Sequence, residues 1–185
     1  MSFNKTSEKI FAILFAFGLI LWIGSSIIRT GIAFDLYVPG TVLILKNWLS
    51  NEVQVNTVRL FANLAIYQLI GFILTFVSTI VIAVLSKGNI KTRGWLFMSF
   101  VFVFLASGIE VAMLYLDLKL NLAFFNGQIK LFTDSAIQNY FVFRFTKMTI
   151  PAALALLSLI SCVIVLVWQP LDKTKQNVEE NIEPK

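Results

Sequence analysis

The chain has 185 residues, of which 58% are hydrophobic and 14% charged, and a net charge of +5. Soluble domains carry roughly 45–50% apolar and about 25% charged residues, so this apolar surface exceeds what one small water-soluble core can hide. The lysines and arginines flank the apolar stretches instead of forming a stripe, which fits anionic lipid headgroups and argues against nucleic acid.

Residues 10–29 form the first apolar run, ending in Arg29. About 20 helical residues cross a ~30 Å hydrocarbon layer. The run exceeds the roughly 7–15 residues of a signal-peptide core and no A-x-A-like site follows it, so it reads as an uncleaved anchor. The long connection after it contains Tyr37-Val38-Pro39-Gly40, whose Pro-Gly pair predicts a type II turn. Residues 42–49 are apolar but too short to span. They fit an interfacial segment with Trp48 at headgroup level, or a short strand.

The second span covers 58–85 and the third 94–117. The short link between them carries Lys87, Lys91 and Arg93 and no acid, which places it on the cytoplasmic side, and both termini with it. A second, aromatic-rich connection follows. In it Ser135 and Gln138 have capping-box spacing, which predicts a helix from about Ala136. The fourth span covers 148–168, with Pro151 in its first turn, where proline is tolerated. The polar residues 171–185 read as a disordered tail.

The expected fold is therefore all-α. Four transmembrane helices form an antiparallel bundle and one domain over residues 1–170. Two longer extracytoplasmic connections have room for short interfacial helices or strands.

Each span repeats small or weakly polar residues at helical spacing. Gly18, Trp22 and Ser25 mark the first; Gly71, Thr75 and Ser78 the second; Ser99 and Ala106 the third; Ala155, Ser158 and Cys162 the fourth. Such stripes are the usual seams between membrane helices. Glu110 stands out, because a carboxylate at membrane depth must face inward and find a partner or become neutral. Depth along neighbouring helices groups Arg29, Arg59, Asn63 and Glu110 as a candidate intramembrane polar cluster, with Arg59, Asn63 or Arg29 as the partner of Glu110. Asp117 lies two turns further on, about 10.5 Å, and reads as a solvated helix end.

No histidine is present and Cys162 is the lone cysteine. That excludes bis-His haem, His-based zinc, a Ser-His-Asp triad, C-x-x-C redox chemistry and an intrachain disulfide. No P-loop occurs either. The sequence points to no cofactor, no metal and no enzymatic role. It fits an accessory subunit or scaffold of the cell membrane whose partners are the lipid bilayer and other membrane proteins or a second copy. The alternative is a small transporter or channel built on Glu110 with Arg29, Arg59 and Asn63.

Overall fold

A computed structural model describes residues 6–41, 43–86 and 93–170. The polar tail and most of the basic link between the second and third spans lie outside the described residues. Helix α1 covers Thr6–Phe34, α2 Asn51–Asn63, α3 Ala65–Leu85, α4 Gly94–Phe125, α5 Phe143–Lys147 and α6 Thr149–Trp168. A π-helical segment, Ile137–Val142, runs directly into α5. Four of these stretches are long and apolar enough to cross a membrane: α1, the continuous run of α2 and α3, α4 and α6. This supports an integral membrane protein.

The helix lengths explain the layering. At 1.5 Å per residue α6 is about 30 Å long, matching a hydrocarbon core. Helices α1 and α4 are half as long again, and their surplus turns extend beyond the end of α6. There they meet α2 and the second connection in a cap with its own apolar core. Leu36, Val58, Phe61, Leu120, Ile137 and Phe141 are its buried centre. Phe61 and Phe141 pack edge to face at 5.2 Å. The two connections are thus packed structure rather than loose loops. Tyr37 is buried in this cap, its hydroxyl without an acceptor among the described residues, and burial pushes its pKa up to about 12.

Below the cap, α1 packs against α3, α3 against α4, and α4 against α6. The α1–α3 seam is very close, because Gly18 meets Thr75 and Gly71 meets the backbone of Trp22. Buried hydroxyls are satisfied within their own helices, as bilayer burial demands. Thr75 donates to the Gly71 carbonyl at 2.8 Å and Ser99 to that of Trp95 at 2.9 Å.

The connections refine the expectations from sequence. Gly40 has φ +77° and the Thr41 N–H donates to the Val38 carbonyl at 3.3 Å, consistent with a type II turn. The following apolar stretch folds back through a single antiparallel bridge, Tyr37 to Leu45, in place of an interfacial helix or a regular strand. In the second connection a helix does begin near Ala136, but without the capping box. Gln138 donates to the Phe132 carbonyl at 3.0 Å. Asp134 closes the turn before it, accepting from the N–H groups of Lys130 at 2.6 Å and Leu131 at 2.8 Å.

Those N–H groups, Leu131 foremost, hold the Asp134 carboxyl below its ordinary range. A depressed folded value means that the stabilisation is present above the unfolded pKa and lost as pH falls through the folded one. Amide-exchange protection at Lys130 and Leu131 should therefore fall as pH drops below 3.8, the ordinary Asp value. Asp134→Asn should remove the same protection at neutral pH. Unchanged protection in the variant would show that the turn holds without this cap.

Candidate functional site: a buried charge cluster beneath the cap

The second long helix is interrupted at Leu64, which ends α2 and begins α3. A break frees backbone carbonyls, and inside a membrane protein each must find another donor. Two neighbouring helices supply donors here. From α4, Asn121 donates its side-chain amide to the Ala62 carbonyl at 2.7 Å. From α1, Arg29 Nε donates to the Phe61 carbonyl at 3.0 Å. Placing a cation at the C-terminus of α2 also suits that helix's dipole.

The rest of the cluster grows from that guanidinium. Nη1 of Arg29 donates to the Gln68 side-chain carbonyl, and the Gln68 amide nitrogen donates to Glu110 Oε1. Gln68 is thus a neutral relay, presenting its acceptor to the cation and its donor to the acid. The indole of Trp22 stands beside the same carboxyl as a second donor. Nη2 of Arg29 lies 2.9 Å from Asp117 Oδ2. It is angled off the line of a hydrogen bond, so the contact is an ion pair.

Arg144, from α5, donates to that same Asp117 oxygen through Nη1, and its second contact is the Met113 carbonyl at 3.4 Å. The Phe61 ring lies near both cations, its centroid 4.1 Å from the Arg29 guanidinium carbon and 5.3 Å from that of Arg144. Arg29 and Gln68 are 0% exposed, Glu110 and Asp117 2%, and Arg144 7%. Two cations and two acids thus meet away from water, and Asp117 alone touches both arginines.

Of the four residues grouped from sequence, this cluster contains Arg29 and Glu110, joined through Gln68 rather than directly. Arg59 and Asn63 are exposed. They line a separate shallow groove with Asn121 and Phe125 between α2 and α4. The reason is angular. At 100° per residue, Gln68 lies about 180° around the helix from Arg59 and about 140° from Asn63. Matching depth placed those residues correctly along the axis but on the wrong side of it. Asp117 is a correction of another kind: the expected solvated helix end is the buried centre of the ion-pair network, because α4 continues for two more turns beneath the cap.

Sequence reasoning also missed Arg144 and Gln68. Each had a usable signal. Arg144 follows the core residue Phe141 by three positions and Ile137 by seven, so it shares their helical face. Gln68 lies three residues before Gly71 and seven before Thr75, both at the α1–α3 seam.

Helices α1 and α6 barely touch, which leaves a cleft along the bundle. Its cap-side part is a cavity of about 390 Å³ with Glu110 and Arg144 in its wall, among Trp22, Thr30 and Leu159. Further along the same two helices lies a second cavity of about 320 Å³, lined by Phe15, Leu19, Leu96 and Val163 and almost wholly apolar. No protein family, curated protein or solved structure matches the chain.

Proposed function

We propose that the chain is a non-enzymatic integral membrane protein, an accessory subunit or small scaffold of the cell membrane. Its four spans alternate in direction, with both termini and the basic link in the cytoplasm and the cap outside. The observation that carries this reading is the internal pairing of the buried charges. Arg29, Gln68, Glu110, Asp117 and Arg144 bond to one another and to backbone carbonyls at the α2–α3 break. That is the arrangement of a structural clamp holding an interrupted helix. The outward faces of the helices carry large apolar side chains, Ile13, Ile73, Leu105, Leu118 and Leu157 among them, which suit lipid and neighbouring membrane helices.

A second reading, a small transporter or channel, draws on the cavity that reaches Glu110. One pair of measurements separates the two. Purification in mild detergent should recover defined membrane partners or a homo-oligomer. Glu110→Gln should lower stability, with no ion or proton flux in proteoliposomes before or after the change. A flux abolished by Glu110→Gln in a stable protein would replace the first reading by the second.

The topology has its own test. Single cysteines at Asn89 and Asn126, in a Cys162→Ser background, should react with impermeant thiol reagents from opposite sides of sealed vesicles. Reaction of both from one side would refute the four-span arrangement.

A further inference from the structure

We propose that the cleft between α1 and α6 binds a single-chain amphiphile with an uncharged, hydroxyl-bearing head, of the monoacylglycerol kind. The head sits on Arg144 and Glu110, and the chain runs along the apolar cavity.

The two cavities lie in sequence along the same helix pair. On α1 their walls run from Ala12 to Ile20 and then from Trp22 to Phe34; on α6 they run from Val167 to Val163 and then from Leu159 to Thr149. Apart from Ser99, whose hydroxyl donates to the Trp95 carbonyl, polar groups lie at the cap-side end, so the cleft has the polarity of an amphiphile. Cavities of this size suit ligands of drug-like dimensions or smaller. A lipid with two chains would leave one outside.

The head group follows from the hydrogen-bond inventory. Arg144 is nine-tenths buried and makes its bonds within the protein through Nη1. Among the described residues nothing accepts from its Nε or Nη2, and the residue forms part of the cavity wall. A guanidinium carries five N–H donors, so a ligand carbonyl or hydroxyl oxygen would complete it. Met113 and Glu110 lie three residues apart on α4, which puts Glu110 about one turn deeper than the Arg144 contacts. Its carboxyl is an acceptor for a ligand hydroxyl.

Charge balance decides between head types. Asp117 already contacts both arginines and Glu110 already accepts from Gln68, so an ion brought into this site would arrive without a free partner of opposite charge, which is costly away from water. A neutral head that accepts from Arg144 and donates to Glu110 satisfies both groups without changing the sum.

Trp22 lines the cap-side cavity and serves as the reporter. Trp48 and Trp168 are exposed, so both are changed to Phe to lower the background, and Trp95, buried with the Phe15, Leu19 and Leu96 that line the apolar cavity, is kept as a second reporter at the chain end. The full chain in lipid nanodiscs is titrated with a chain-brominated monoacylglycerol, a brominated lysophosphatidylglycerol or a brominated diacyl phosphatidylcholine. Saturable quenching by the monoacylglycerol is expected, with the other two quenching only weakly and linearly. Ala152→Phe, which fills the cavity while leaving every residue of the charge cluster in the sequence, should abolish saturation. Arg144→Gln, provided its helical circular dichroism is retained, should weaken binding at least fivefold. Equal or tighter binding of the lysophosphatidylglycerol would overturn the assignment of the head. Equal quenching by the diacyl lipid would reduce the effect to partitioning and overturn the site, as would saturation that survives Ala152→Phe.

Discussion

Asp117→Asn is expected to destabilise the protein more than any other single change in the charge cluster. Asp117 is the one acid in contact with both Arg29 and Arg144. Removing one partner of a buried ion pair costs about 3–5 kcal/mol, because the other charge is left without compensation. Here two guanidinium groups would be left, with Glu110 reached only through Gln68. Arg144→Gln should cost less, since Asp117 keeps Arg29. The double variant Asp117→Asn/Arg144→Gln should recover part of the loss seen in Asp117→Asn alone. Unfolding by sodium dodecyl sulfate titration in mixed micelles would measure all three. Strictly additive losses would reject the coupling. The Lys46–Asp35 pair is a control: the Asp35 side chain is 79% exposed, and such pairs contribute about 0–1 kcal/mol. Asp35→Asn should therefore leave unfolding nearly unchanged.

Gly71→Leu should have an effect of similar size by a steric route. A Cβ at Gly71 would stand 2.5 Å from the Trp22 backbone nitrogen and 2.9 Å from the Gly18 carbonyl oxygen. Both are backbone atoms, so no side chain can swing aside, and α1 must move away from α3. Overpacking a tight core typically costs about 1–3 kcal/mol and sometimes more. Gly71→Ala should show part of this loss and Gly71→Leu all of it. The displacement would also part Trp22 from Phe72, whose rings now meet edge to face at 5.2 Å. Gly108→Ala is the matching control, because a Cβ there meets nothing within 4 Å. Alanine is the better helix former by about 1 kcal/mol, so Gly108→Ala should be neutral or mildly stabilising. Equal effects at Gly71 and Gly108 would show that the seam has slack that the geometry does not reveal.

The long apolar runs announced the helices plainly, since hydropathy over some 20 residues is a strong signal that depends little on packing. Their ends were harder to read. The last turns of α1 and α4 bury one face in the cap, through Ala33, Leu120 and Ala123, and the cap's core unites residues far apart in the chain, such as Leu36, Phe61 and Phe141. No local window holds that information. Glu110 and Arg29 were conspicuous because charge in an apolar run is rare. Gln68 and Arg144 were hidden for opposite reasons: an uncharged amide draws little notice within a span, and Arg144 lies in a connection where an arginine looks ordinary. The break at Leu64 has neither proline nor glycine beside it, so the helix pattern gave no warning that its two halves are held by side chains from α1 and α4.

The Arg29–Asp117 pair also sets an order on biogenesis. Asp117 follows Arg29 by 88 residues, so α1 and the α2–α3 helix are made before the carboxylate that Arg29 needs. During that interval Gln68 and the Phe61 carbonyl are the cluster partners already synthesised, and both arrive with the second span. They can hold the guanidinium but cannot neutralise it. A nascent first hairpin therefore carries an uncompensated cation at its cap-side end until α4 emerges. Any folding helper that acts on this protein at the translocon would meet it in that state, before Asn121 of α4 reaches the break at Leu64.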